Sequence, residues 1–349
     1  MILLKTQNLG VFEPDHLKIK AALSRPLTRS TLGRFKVLNH ETDPKFPASG
    51  TMKDIFFCVC QVSHTVFIAL RGKEGEGIEM FQNEKRIITQ LQGVSGICSY
   101  LFCGGYMVMK LFNRGDLIDV LNRNELKSWA KDWIGLRIAQ TLSECHDRGV
   151  VLRDLKPDNI LIAARSDGSC EARLTDFGLA IHLDGASEAD LYKSCGSPHY
   201  APPENLMGHP LAHYSGDLWS FAVTLYVLET VEPPYDIEKS DIDLLRNIQI
   251  PDCSYSKEMK DCFRLDREQR PTSASIARRM YDIFMEKHYA TPFAETMRQQ
   301  ETVFNEVEKQ EFPEKPAKII LSYLMAGKVD QYFSFILKRN TLKAASTLV

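Results

Sequence analysis

Val151-Leu152-Arg153-Asp154-Leu155-Lys156-Pro157-Asp158-Asn159-Ile160-Leu161 is the stretch from which the rest of the chain can be read. Asp154, Lys156 and Asn159 stand at spacings 0, +2 and +5, and seventeen residues beyond Asn159 comes Asp176-Phe177-Gly178. The set offers a proton acceptor, a cation and two oxygen ligands. Two unrelated polar loops would seldom combine both spacings.

Phosphoryl transfer asks for these parts: an acceptor for the substrate hydroxyl proton, a cation near the transferred phosphate, and oxygen ligands for Mg²⁺. Asp154, Lys156, and the pair Asn159 and Asp176 supply them in that order. On these residues the chain resembles the eukaryotic-type serine/threonine protein kinases, whose catalytic loop reads H-R-D-L-x-x-x-N and whose metal motif is D-F-G. Tyr200-Ala201-Pro202-Pro203-Glu204 is similar to the segment that closes the family's activation loop. Asp217-Leu218-Trp219-Ser220 is similar to the opening of its long buried helix, and Arg270-Pro271 to the arginine that pairs with the glutamate, here Glu204. These three hold the lobe together and perform no chemistry. Asp-Leu-Lys-Pro-x-Asn at 154–159 and Cys195-Gly196-Ser197-Pro198-His199-Tyr200 resemble the Ser/Thr branch, with Ser197 placed to bond Asp154 and Lys156.

The resemblance covers residues 46–285 and implies an α+β, bilobal protein-kinase-like fold. A small β-rich N-lobe is expected over 46–112 and a large helical C-lobe over 113–285. An N-terminal extension, 1–45, and a helical C-terminal extension, 286–349, flank them. The residue pattern agrees. Stretches 54–60 and 65–70 are β-branched and aromatic, and 79–91 has helical periodicity. Two strands follow near 97–102 and 106–111, then helical windows near 129–146, 217–230, 255–263, 273–288 and 317–337.

The resemblance also implies a nucleotide site for ATP with Mg²⁺. The segment 47–55 aligns with the Gly-rich loop, with Ala48 and Lys53 standing where two of three glycines would be and Gly50 retained. Ile68-Ala69-Leu70-Arg71 aligns with the strand V-A-I-K, which makes Arg71 the phosphate-binding cation, Lys73 the other candidate, and Glu84 the partner. Met109 falls at the gatekeeper position, backbone groups of Lys110 and Phe112 meet adenine, and Asp116 lies near the ribose. Ile55, Ala69 and Leu161 enclose the base. Asp154 and Lys156 act on a protein substrate, and Asn159 and Asp176 hold the metal. The alternative is a pseudokinase scaffold, which has no chemical need of Asp154, Lys156, Asn159 and Asp176 together. Many relatives carry an activating threonine where this chain has Lys193, so its loop is expected to order without phosphate there. Glu188 or Asp190 can face Arg153, or Ser194 or Tyr192 can take a phosphate instead.

The composition fits a globular chain. Of 349 residues, 44% are hydrophobic and 25% charged, which excludes a disordered or collagen-like polymer. Lys and Arg number 43 against 45 Asp and Glu, so no whole-chain charge draws it to nucleic acid or anionic membrane. No apolar stretch is long enough for a transmembrane segment, and the apolar opening at 1–4 is too short for a signal peptide. Nine cysteines without zinc spacing point to reduced thiols and a cytoplasmic location. The Lys/Arg-rich tail from Pro316 places Ile320, Tyr323, Leu324, Val329, Tyr332, Phe333, Ile336 and Leu337 at helical spacing. It is either a helix packed on the domain or one that contacts a membrane surface.

Overall fold

A computed structural model of the chain describes residues 35–37, 48–49, 52–60, 66–112, 114–124, 126–164, 170–235 and 245–288. The small lobe is an antiparallel sheet with strand order β1-β3-β4-β6-β5, and β2 also pairs β3. Its strands are β1 (Phe35–Val37), β2 (Ala48–Ser49), β3 (Lys53–Cys60), β4 (Val66–Gly72), β5 (Tyr100–Cys103) and β6 (Tyr106–Lys110). Helix α1 (Glu76–Gln90) packs on β4 and buries Phe81, Glu84, Ile87 and Ile88 at helical spacing. Strand register sorts the side chains into two faces. Ile55, Leu70 and Met107 are cross-strand partners turned to the main core. Phe56, Ala69 and Val108 are partners on the other face, in a small separate cluster. β1 pairs with the far end of β3, so the sheet recruits residues upstream of the expected boundary at 46.

The large lobe opens with β7 (Gly115–Asp116), α2 (Leu117–Asn122) and α3 (Ser128–Asp147). Short strands follow: β8 (Val150–Val151), β9 (Ile160–Ala164), β10 (Cys170–Leu174) and β11 (Ile181–His182). β10-β9-β7 form one sheet and β11-β8 another, so the 151–161 stretch starts in β8, ends in β9 and strings a loop of residues 152–159 between them. Helices α4 (Glu188–Leu191), α5 (Pro203–Leu206), α6 (Tyr214–Thr230), α7 (Ser256–Cys262) and α8 (Ser273–His288) complete the described chain. α6 is apolar nearly all round, from Leu218 and Trp219 to Val227 and Leu228, and therefore runs buried through the lobe. α3 packs against α8 and α6. α8 continues to His288, three residues past the expected domain end; the tail window 317–337 lies outside the described residues. None of the helices among the described residues is long and apolar enough to cross a membrane.

One ion pair ties the lobe together. Arg270 donates to both carboxylate oxygens of Glu204, at 2.9 and 2.8 Å, and to the carbonyls of Arg264, Ser215 and Leu265. Its guanidinium also lies over the Trp219 ring, 5.3 Å from the centroid. Arg270→Met strands the Glu204 carboxylate, so it is expected to cost about 3–5 kcal/mol in urea unfolding. A loss below about 1 kcal/mol, the range of an exposed ion pair, would show that the pair is no structural tie.

Candidate active site

The loop between β8 and β9 is held from behind by Asp217 on α6. Asp217 Oδ2 accepts the Leu152 N–H at 2.7 Å, and Oδ1 accepts the Arg153 N–H at 2.9 Å. A ring nitrogen of His146 lies 3.0 Å from Oδ2. These contacts hold Arg153 at φ 63, a left-handed conformation that a non-glycine residue keeps only when its surroundings impose it. Asp154 is presented next. Its Oδ1 accepts the Ser197 N–H at 2.8 Å, and its Oδ2 accepts from Lys156 at 2.5 Å and Asn159 at 3.2 Å. Lys156 Nζ also donates to Ser197 Oγ at 2.5 Å, the contact expected from the sequence. Leu152, Asp154, Asn159, Asp176 and Phe177 line one shared cavity.

The cation on Glu84 is Lys53, in place of Arg71 or Lys73. Lys53 Nζ pairs with Glu84 Oε2 and lies 2.8 Å from Asp176 Oδ1; Lys53 is 3% exposed. Burial alone would lower the Lys53 ammonium, but Glu84 and Asp176 outweigh it and hold it above the ordinary lysine range. Burial likewise pushes the Asp176 carboxyl up, yet the Lys53 contact brings it below the ordinary aspartate range. Glu84 Oε1 accepts the Phe177 N–H at 3.2 Å.

Strand register explains the correction. Lys53 partners Gly72 and Ile55 partners Leu70, so Leu70 and Gly72 occupy the face of Lys53. Ala69 and Arg71 point the other way, because a one-residue shift exchanges the faces of a strand. Ala69 packs with Phe56, Cys58 and Val108 and does not share the face of Ile55. Arg71 is half exposed, 3.4 Å from Asp54, with its guanidinium over the rings of Phe56 and Tyr106. No side chain fits at Gly72, where a Cβ would lie 2.6 Å from Gly77 O and 2.8 Å from Phe81 Cβ. The cation comes from the neighbouring strand instead. Alternation could have pointed to Lys53, since it lies two residues from Ile55 and shares its face.

The other expected nucleotide residues are placed as follows. Met109 is buried in the main core, two residues along the strand from Met107. Lys110 extends its side chain outward to Glu171, at 3.2 Å, and Phe112 is buried. Asp116 caps α2 by accepting the Asp119 N–H at 2.8 Å, and burial pushes its carboxyl up to about 7. Leu161 is its register partner. Ala48 pairs with Ile55, and Gly50 lies outside the described residues.

The site fits a hard divalent cation. Asn159 is buried and spends its amide nitrogen on Asp154, which leaves Oδ1 without a hydrogen-bond partner in the same cavity as Asp176. A carboxylate and an orphaned carboxamide oxygen suit Mg²⁺, which takes few protein ligands and completes its shell with water and phosphate oxygens. Asp176 adopts φ 61, the second strained non-glycine residue of the site.

Comparison with known proteins gives the same picture. The family model for the protein kinase domain matches residues 78–282, more than half of the chain. GIN4, a serine/threonine-protein kinase of Saccharomyces cerevisiae, is 34% identical over 184 residues, covering 49% of this chain and 16% of its own length. CBL-interacting protein kinase 21 of Oryza sativa subsp. japonica is 31% identical over 182 residues, covering 51% of this chain and 31% of its own length. Serine/threonine-protein kinase 33 of Bos taurus is 29% identical over 189 residues, 49% of this chain and 38% of that protein. The match thus spans well under half the length of these relatives.

The register makes a stability prediction. Gly72→Ala drives a methyl group into the backbone of Gly77 and is expected to cost about 1–3 kcal/mol. Arg71→Ala removes only an exposed pair and two exposed cation–π contacts, worth about 1 kcal/mol or less together. Chemical denaturation of both variants checks the ordering, and equal losses would contradict the register.

Proposed function

The chain belongs to the protein kinase domain family, and on that premise we propose that it transfers the γ-phosphoryl group of ATP to a serine or threonine hydroxyl of a protein substrate. The observation that carries this reading is the pair of connected networks around one cavity, Asp154-Lys156-Asn159-Ser197 and Lys53-Glu84-Asp176. Asp154 accepts the proton of the substrate hydroxyl, its carboxylate aimed by the Ser197 N–H. Lys156, beside it, offers positive charge to the transferred group, and Lys53 offers it to the donor phosphates. Protein kinase domains work with ATP and a divalent metal. For this chain we propose Mg²⁺, held by Asn159 and Asp176, where it neutralises charge on the phosphate oxygens. The Lys156–Ser197 contact supports a Ser/Thr acceptor. A non-catalytic scaffold is not favoured, because it has no use for both networks complete.

Two further readings rest on other residues. Arg153 donates to the carbonyls of Leu179 and Asp190, each at 2.7 Å, and the second closes the end of α4. Ser187 caps that helix by accepting the Asp190 N–H, and Leu191 O accepts the Ala212 N–H at 2.7 Å. The contact on Asp190 is thus to its backbone; its carboxylate bonds Ser187. We propose that this ordering replaces a phosphate on the loop. The cytoplasmic location is likewise a proposal, supported by Cys98, Cys145 and Cys262 as thiols sealed in the core.

Purified protein incubated with Mg²⁺ and labelled ATP, followed by phosphoamino-acid analysis of an exogenous protein substrate, tests the activity. Asp154→Asn is expected to lower turnover by about 10²–10⁴-fold. Lys53→Met should lower it by about 10²-fold or more while Arg71→Ala leaves it within about threefold. Undiminished transfer by the Asp154 variant would sink the assignment. Phosphatase-stripped protein carrying Ser194→Ala and Tyr192→Phe should keep full initial activity. Activity that appears only after modification of either residue in the unsubstituted chain would defeat the phosphate-free loop.

A further inference from the structure

Asn83 precedes Glu84 on α1, and the chemistry above gives it no part. Its side-chain nitrogen lies 3.0 Å from Gly178 O and 2.8 Å from Ala180 O. A carboxamide NH₂ carries two donors, so one side chain serves both carbonyls. Its Oδ1 accepts from Arg86 at 2.8 Å, which fixes the amide with nitrogen toward the carbonyls. The carbonyl between them, of Leu179, takes Arg153. Three successive carbonyls just after Asp176 are therefore held by side chains from two separate elements, α1 and the loop after β8. Hydrogen bonds join α1 to this segment through adjacent residues, with Met80 packed beside Gly178: Glu84 takes the Phe177 N–H, and Asn83 takes the carbonyls of 178 and 180.

We propose that Asn83 is a positioning residue that sets the register of α1 against the segment carrying Asp176. The inference rests on the reading of that segment as phosphoryl-transfer machinery. Lys53 reaches Glu84 and Asp176 together only when α1 is docked on the segment. Ion pairs tolerate displacement, because Coulomb energy falls slowly with distance. Hydrogen bonds weaken steeply as their angle opens, so the two amide contacts define the position more sharply than the charges do. Asn83 thereby acts through Glu84 and Lys53, with no contact of its own to the reacting atoms.

The test uses the full chain with Asn83→Asp, which keeps the shape but turns oxygens toward the two carbonyls, and Asn83→Ala, which removes both donors. Hydrogen exchange of the Phe177 and Ala180 amides is expected to quicken about tenfold or more in both, with exchange in α6 unchanged. In the same variants kcat should fall about tenfold while KM for the protein substrate stays within about twofold. Asn83→Gln, which retains the NH₂, should recover most of both. If Asn83→Asp fails to fold, the Ala and Gln variants decide the matter alone. Unchanged exchange at 177–180 in Asn83→Ala overturns the proposal. Exchange does not depend on turnover. Quickened exchange in a chain that transfers no phosphate therefore supports the clamp while removing the proposed activity.

Discussion

The Lys53 ammonium is buried at a point where carboxylates from two different parts of the chain converge on it. Glu84 arrives on a helix of the small lobe, and Asp176 on a segment of the large one. An isolated buried ion is costly, and so is a buried carboxylate left without its partner. The Lys53 ammonium stays charged because both carboxylates face it, and each carboxylate in turn depends on Lys53. The closed arrangement of α1, β3 and the Asp176 segment is thus a condition of charge balance.

Two of the four non-glycine residues with left-handed backbone among the described residues lie at the same place. They are Arg153 and Asp176, and each is fixed by contacts that come from far along the chain. Asp217 grips the two amides at 152 and 153, while Lys53 grips the Asp176 carboxylate. α6 can supply Asp217 because it is buried along its length and cannot shift without disturbing the core. A rigid apolar helix therefore sets the position of polar atoms that must face a cavity.

The convergence of Asp154, Lys156 and Asn159 was legible in the sequence because its geometry is local. Asp154, Lys156 and Asn159 lie within six residues, so their spacing nearly fixes how they converge. The cation that pairs with Glu84 was legible only in part, because alternation puts Lys53 on the face of Ile55 and no further. Alternation reveals which residues of a strand share a face, yet it is silent on which face turns inward. That was settled by Gly77 and Phe81 of α1, which leave no room for a side chain at Gly72. Asn83 escaped for a related reason, since the carbonyls it holds are 95 and 97 residues away and carry no side-chain signature. Strand β1 lay beyond the expected boundary because three residues of pairing leave little periodicity to detect.

Lys53 begins β3, the strand whose Ile55 and Asp54 pair with Ala48 and Ser49 of β2. The cation is consequently mounted on a hairpin, and not on the strand that packs against α1. Swinging that hairpin away would withdraw the charge from Glu84 in the same stroke. Any ligand that draws the hairpin inward must then tighten the docking of α1, and anything that docks α1 must raise the affinity for that ligand. Linkage makes the two effects equal in free energy. A flap and a helix on separate elements thus become opposite ends of one lever, with the lysine side chain as its pivot.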